Sequence, residues 1–564
     1  MQKRWNLVVV AAVVAGWSAP AAALTVDVPA PDPSPSLVGD PVMFRAVATD
    51  AAGTPKYSYS FGDGTKTDFE PDRPSIAHTY TRPGHYSITI NVQDDVNLRG
   101  RTFTQTVHYP VLPGRPSVSR DIIYDQARNR IYNVNRDNDS ITAVDPVALK
   151  KVGELDVYHD PEALALAPDH KLWVLHRDDY AIAIVDPDKM MVERGFRLPY
   201  ASQPIGLAMS PTGDAAYVTL MAVGKLLKLN PTTGMVLAEL DVGPRPRGVS
   251  VTQDGKDVYV TRFISTDAGG EVVHVDAAAM KLVKRINLAP DTTTVDTDQK
   301  GRGLPNYLFS VGLSPDGRQA WIPGKKDNIF RGTLRDTLPL SEDNTVRPMV
   351  AVVDLVMGQE NLTPLIDPAL AGRVVYLAGR IDLDDRNLPG HVEFSPMGDY
   401  AFVSVIGSNL VEVRDAYTGG FVTAMKEAGL APRGSVMGPN SRLFVNGSLS
   451  RKLVVYDMAA ILDSSDTITK RLAEISTVEK EKLAPDVLLG KQIFFNSADS
   501  RMTKEGYLSC ATCHFDGDGD GRVWDFTSRG EGLRNTTALL GRRGMGQGNV
   551  LWTGSFDEIQ DFEN

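Results

Sequence analysis

A unit of about 40 residues recurs through the middle of this chain, and repetition at that period leaves few folds open. Each copy enters on a proline or glycine, runs through an apolar strand, turns into a second, and reaches a third that ends near an aspartate. Pro161-Glu162-Ala163-Leu164-Ala165-Leu166-Ala167-Pro168, Pro204-Ile205-Gly206-Leu207-Ala208-Met209-Ser210-Pro211 and Pro246-Arg247-Gly248-Val249-Ser250-Val251 are three such entries. Less regular copies begin near Ile122, Leu308, His391 and Arg433, making about seven units over residues 119–475. A four-stranded blade cannot bury both of its faces alone, whereas a closed ring of blades can. The pattern therefore predicts a β-propeller of about seven blades. Its fifth unit is long, with polar insertions at 325–347 and 359–389, and such loops more often contact a partner than fill a core.

The third unit carries Ser210-Pro211-Thr212-Gly213-Asp214 before Ala215-Ala216-Tyr217-Val218-Thr219, and later Leu229-Asn230-Pro231-Thr232-Thr233-Gly234. This resembles the YVTN-type β-propellers of surface and periplasmic proteins. The resemblance implies a fold and says little about activity, because propellers host many functions.

At 564 residues the chain exceeds what one hydrophobic core organises. It opens with Lys3 and Arg4, an apolar stretch over 7–17, and Ala21-Ala22-Ala23, the three parts of a secretory signal. Residues 1–23 are thus expected to be a cleaved signal peptide, since the stretch falls short of the roughly 20 residues that span a bilayer. No later stretch is apolar enough to be transmembrane. The expected location is periplasmic, secreted or cell-surface. A formal net charge of -11 argues against nucleic acid as a partner, because phosphate binding needs basic patches.

Residues 24–112 alternate apolar and polar positions, with Tyr86, Ile88, Ile90 and Val92 inward and Ser87, Thr89 and Asn91 outward. Phe61-Gly62-Asp63-Gly64 supplies a tight turn. Together with His78-Thr79-Tyr80 and Pro83-Gly84-His85-Tyr86, this resembles the PKD domain, a small immunoglobulin-like β-sandwich of extracellular proteins. The resemblance implies a spacer or a module for a protein or carbohydrate ligand. After the repeats, Ser476-Thr477-Val478-Glu479 reads as a capping box, and Pro485 suits the first turn of a helix over 487–495. The expected fold class is accordingly multidomain and mainly β: a sandwich at 24–112, a propeller at 119–475, then an α-helical cytochrome c domain at 476–564.

The chemistry is concentrated in Cys510-Ala511-Thr512-Cys513-His514. In a CxxCH run two thiols can add to the haem vinyl groups while the adjacent imidazole ligates iron, and the spacing is tight because all three bonds serve one ring. Cys510 and Cys513 are the candidate attachment points and His514 the candidate axial ligand. A structural zinc site needs four ligands, but these are the only two cysteines and no other histidine follows His391. A redox CxxC would be expected beside a βαβ pattern, which is missing here. A disulfide between the two would leave His514 without a role.

The flanks carry a further resemblance. Leu489-Gly490-Lys491-Gln492-Ile493-Phe494-Phe495, then the CxxCH run, then Gly532-Leu533-Arg534-Asn535-Thr536 look like the bacterial dihaem cytochrome c peroxidase and methylamine-utilisation enzymes. That resemblance implies haem c and a partner that is a redox protein or peroxide. Those enzymes have two CxxCH motifs, one haem meeting peroxide and the other relaying electrons. This sequence has one motif, so it is either truncated at its C-terminus, the favoured expectation and one that leaves room for a second haem, or a monohaem offshoot. Met502 and Met545 are candidate distal ligands, and Trp552 is either an aromatic between motif and next helix or a packing residue. Asp516, Asp518, Asp520 and Gly521 have calcium-loop spacing, although Thr527 stands where a bidentate glutamate is required, so an acidic loop without metal competes with calcium.

The expected function is an exported c-type cytochrome that transfers electrons, with peroxide reduction or oxidation of a partner as its possible enzymatic form. The alternative is a propeller-based surface binding protein with an accessory or vestigial haem region.

Overall fold

The computed structural model describes residues 23–361, 365–366, 374–375 and 379–540. The expected signal peptide, Met545 and Trp552 fall outside these residues. The chain divides into two compact units at about residue 107.

The first unit is a sandwich of antiparallel sheets. A five-stranded sheet in the order Ser36–Leu37, Leu98–His108, Gly84–Gln93, Lys56–Ser60 and Glu70–Pro71 packs against the pairs Pro41–Arg45 with Ser75–Thr79 and Thr25–Asp27 with Val47–Thr49. Ile88, Ile90 and Val92 are fully buried and Ser87 is exposed, the period-two alternation of a half-buried strand. Tyr86 is half-buried and stacks on Tyr80 at 4.3 Å. The turn predicted at Phe61-Gly62-Asp63-Gly64 uses left-handed backbone at Gly62 and Gly64 (φ 79° and 93°), where a Cβ is disfavoured.

In the second unit, seven blade-like antiparallel sheets follow in chain order: blade 1 over 122–156, blade 2 over 161–197, blade 3 over 204–241, blade 4 over 246–288, blade 5 over 304–382, blade 6 over 389–425 and blade 7 over 432–476. Within a blade the first strand is mostly buried, throughout its length in Pro204–Met209, and the fourth is half-exposed, as in Val236–Asp241. Successive blades share apolar clusters, Trp173 and Leu175 of blade 2 with Leu207 and Val218 of blade 3 for example. The ring closes because Ile122, Ile131 and Val144 of blade 1 pack with Val436, Phe444 and Val455 of blade 7. Both of these blades are built from consecutive strands, so side-chain packing rather than strand exchange joins first to last.

The segment before blade 1 crosses one mouth of the ring. The Leu112 N–H donates to the Pro315 carbonyl (3.0 Å), Ser117–Val118 pairs with the inner strand Pro246–Val251, and Arg120 bridges Leu164. At the other mouth the channel holds a cavity of about 100 Å³ lined by Asp121, Glu162, Arg247, His391, Arg433 and Phe515, among others. Burial pushes Asp121 up to about 6, against the opposing hydrogen bond from Asn446 and the nearby Arg433 charge.

The C-terminal residues correct the expected fold class. In place of an α-helical cytochrome c domain, 477–540 forms the helices Pro485–Phe495 and Cys510–His514, short 3-10 turns, and the hairpin Val523–Phe526 with Gly532–Asn535. These elements build no core of their own: Phe495, Ala511 and Phe515 enter one cluster with Phe263, Tyr307, Phe309 and Leu388 of the ring. The capping box at Ser476 also fails to start a helix. Ser476 ends the outer strand Lys470–Ser476, and the buried Thr477 gives its carbonyl to Thr142 Oγ1 (2.5 Å) in blade 1. The helix beginning at Pro485 forms as predicted, with proline in its first turn. Among the described residues, no helix is long and apolar enough to cross a membrane.

Two outcomes follow from this packing. Phe444→Ala removes a fully buried ring from the blade 1–blade 7 seam. It is expected to cost about 3–5 kcal/mol in urea unfolding of the full chain, with faster amide exchange in blades 1 and 7 than in blade 3. For Asp121 the folded state holds the proton more tightly than the unfolded chain, so its contribution to stability is present below about pH 4 and is lost as pH rises through 6. Asp121→Asn is expected to gain on the parent by about 2 kcal/mol between pH 4 and pH 7.5, read from urea midpoints at each pH. His391, pushed down to about 3 by burial in the same channel, titrates in both proteins and cancels in the difference.

Candidate functional site

The helix Cys510–His514 is five residues long, too short to hold itself, and the ring supplies its anchors. At its start, the Ser509 N–H donates to Thr512 Oγ1 (2.8 Å), Thr512 Oγ1 donates to Asn387 Oδ1 (3.0 Å), and Asn387 Nδ2 donates to Ser509 Oγ (2.9 Å). At its end, the Tyr307 hydroxyl donates to the Cys513 carbonyl (2.9 Å). Asn387 precedes the inner strand of blade 6 and Tyr307 follows that of blade 5, so residues more than a hundred positions away fix both ends of the motif.

Both cysteines are free thiols, Cys510 exposed and Cys513 half-buried. Three residues apart on a helix, they lie on one face. Burial pushes both thiols above their ordinary range, most at Cys513, where the Asp520 carboxylate adds to the effect. Burial also lowers His514 below the usual imidazole value, partly opposed by Asp520, and its Nδ1 is buried with no hydrogen-bond partner. The neighbouring helix Pro485–Phe495 turns Phe494 and Phe495 into the shared cluster and leaves Val487, Leu489 and Ile493 exposed. Two thiols on one helical face, an adjacent neutral imidazole and apolar side chains close by fit the donor and packing needs of a covalently held haem. Among the described residues no group of three His, Cys, Asp or Glu side chains could hold a bare metal ion.

The acidic run after the motif diverges. Asp516 accepts from Arg136 Nη1 (3.3 Å), Arg177 Nη1 (3.2 Å) and Arg247 Nη1 (3.3 Å). Asp518 pairs with Arg245 (2.8 Å). Asp520 is buried, 3.3 Å from Lys325 Nζ, and accepts from Trp524 Nε1 (3.2 Å). Three carboxylates with calcium-loop spacing thus serve three separate sets of partners, and Thr527 sits in a 3-10 turn beside Asp525.

Lys325 is buried with Asp327 (2.8 Å) and lies 4.3 Å from the centre of the Tyr307 ring. Such charges are tolerated inside only when paired. The insertion between Lys325 and Arg347 turns back onto the same segment. The Leu334 N–H donates to Asp525 Oδ2 (2.7 Å), Arg335 donates to the Val523 carbonyl (2.8 Å), and Glu342 accepts from the N–H groups of Lys504 and Glu505 (2.9 and 3.1 Å). This loop, expected to meet a partner, contacts the chain's own C-terminal region. Met502 lies half-buried in a turn closed on Asp499, and Arg534-Asn535-Thr536 runs from the second hairpin strand to a Thr536 N–H bond on the Arg522 carbonyl (3.1 Å).

Arg136, Arg177, Arg247, Arg433, Tyr307 and Asn387 escaped the sequence reading. A partial signal was present, since Glu162, Arg247 and Arg433 each follow the entry proline of an otherwise apolar repeat. Arg136 and Arg177 lie in ordinary turns between second and third strands and carry no such mark.

A search of curated proteins finds no match to the chain. Among solved structures, similarity extends to Kuenenia stuttgartiensis hydrazine synthase (18% identity, 59% of this chain and 94% of that one, TM-score 0.48). A streptogramin B lyase aligns at 12% identity over 59% of this chain and 92% of its own, with TM-score 0.40. The dihydro-heme d1 dehydrogenase NirN in complex with DHE aligns at 15% identity over 76% of this chain and 74% of its own, with TM-score 0.38. At these values none assigns a family, and the ring architecture rests on the chain's own sheets. Residues 24–107 match the family model of the PKD domain, and this part of the chain is a PKD domain.

Proposed function

We propose that this chain is an exported redox protein carrying haem c, with Cys510 and Cys513 as thioether attachment points and His514 as axial ligand. The observation that carries the reading is the pair of free thiols one turn apart on an anchored helix, next to an imidazole whose buried Nδ1 lacks a partner. When bound, haem supplies one-electron chemistry. The chain's own residues orient the ligand through Tyr307 and Asn387 and place apolar side chains beside it. The mouth of the propeller-like ring, rather than a separate helical domain, is the scaffold for this site.

Electron transfer is the primary activity in this reading. The flanking Leu489–Phe495 and Arg534–Thr536 motifs, similar to those of dihaem peroxidases, support peroxide reduction or oxidation of a partner as its enzymatic form. The competing reading, a binding protein with a vestigial haem segment, draws on one observation. The opposite mouth of the ring opens into a cavity of about 580 Å³ lined by residues that include Arg115, Arg120 and Glu393.

Full-length protein produced with a haem-c maturation system is expected to have the polypeptide mass plus one haem for this motif, with a haem-c pyridine haemochrome spectrum. Cys510→Ser with Cys513→Ser is expected to abolish the covalent adduct, and each single variant to leave one thioether. A parent mass equal to bare polypeptide overturns the haem reading and leaves the binding protein. Iron that changes spectrum on adding peroxide or carbon monoxide indicates an exchangeable ligand position and the enzymatic form. An unresponsive low-spin spectrum indicates electron transfer alone.

A further inference from the structure

The ring's channel mouth is lined by arginines from four blades, and what fills it is part of the chain. Arg136 extends from blade 1, Arg177 from blade 2, Arg247 follows the proline that opens the inner strand of blade 4, and Arg433 the one that opens that of blade 7. All four are largely buried, a placement that costs several kcal/mol per charge unless anions answer it. Glu162 answers part, at 2.7 Å from Arg136 and 3.7 Å from Arg177. Asp160 pairs with Arg136 as well (2.5 Å). The remaining positive charge converges on Asp516, whose two oxygens accept from three guanidinium groups at 3.2–3.3 Å.

The residues beside Asp516 complete the fit. Phe515 packs edge-on to Phe263, Phe309 and Phe495, while the Arg247 and Arg433 guanidiniums lie 5.1 and 5.6 Å from its ring centre. Asp516 adopts left-handed backbone (φ 56°), uncommon for a residue with a side chain, and this turns its carboxylate into the channel directly after the Cys510–His514 helix. An unusual conformation maintained at such a junction implies that the surrounding contacts over-determine it.

We propose that the channel mouth is a carboxylate-recognition site whose ligand is the chain's own Asp516, and that through this latch blades 1, 2 and 4 set the orientation of His514. Asp516 is then a positioning residue. It touches neither thiol nor iron, and it acts by fixing the main chain two residues beyond the imidazole. The positioning role rests on the proposed haem ligation, whereas the docking itself does not.

The test compares parent, Asp516→Asn and Asp516→Glu in the full chain, with Tyr307→Phe as a milder variant that removes only the hydroxyl, which donates to the Cys513 carbonyl and accepts from the Phe515 N–H (3.4 Å). Amide exchange over 505–520 reads the docking with or without haem. Asp516→Asn is expected to exchange at least about tenfold faster there than the parent, with Asp516→Glu restoring part of the protection. In haem-loaded protein, intact mass is expected to be unchanged, while the midpoint potential and the ligand-sensitive spectrum move in Asp516→Asn and Tyr307→Phe and return towards the parent in Asp516→Glu. Unchanged exchange overturns the latch. Faster exchange with an unchanged potential and spectrum in both Asp516→Asn and Tyr307→Phe overturns the positioning role. A parent without covalent haem overturns the haem reading and with it the positioning role, leaving the exchange result to decide the latch alone.

Discussion

Each blade presents two apolar faces that only another blade can cover, and the rest of the second unit depends on this requirement. It explains why the inner strands are mostly buried, why neighbouring blades share clusters such as that of Trp173 with Leu207, and why the first and last blades must meet. Without an exchanged strand to tie them, that meeting depends on side chains, above all the fit of Phe444 among Ile122, Ile131 and Val144. Hydrogen bonds from Thr142 to the Thr477 carbonyl and from Asn446 to Asp121 tie the same seam, and such a close-packed junction transmits strain because it has few voids to absorb it.

Closing the ring creates a channel, and the channel creates an electrostatic problem. Inner strands enter it on prolines followed by Glu162, Arg247 and Arg433, so charged groups gather where solvent is scarce. One mouth is crossed by the segment leading into blade 1. The other is filled by Phe515 and Asp516, which bring an aromatic face and a carboxylate to the arginines. The CxxCH helix therefore inherits its position from the ring. Tyr307 and Asn387 hold its two ends, and the insertion of blade 5 holds the hairpin beyond it.

This dependence accounts for the expected helical domain that the structure overturns. The change to helical periodicity after residue 476 is real at Pro485–Phe495, yet periodicity reports only local geometry. Whether a segment makes its own domain depends on where its apolar side chains find cover, and Phe495, Ala511 and Phe515 find it against Phe263 and Tyr307. Similarly, the spacing of Asp516, Asp518 and Asp520 suggested one shared cation. Left-handed backbone at Asp516 and separate partners for each carboxylate send them apart.

The sequence by itself determined the strand repeats, the sandwich alternation around Ile88 and Ile90, and the grouping of Cys510, Cys513 and His514, because period and covalent spacing are local properties. Only the tertiary structure decided that the motif rests on the ring. Arg136, Arg177, Arg247, Tyr307 and Asn387 are scattered over some 250 positions and converge only when the blades close. Their roles come from long-range burial and charge pairing, which no local pattern of residues records.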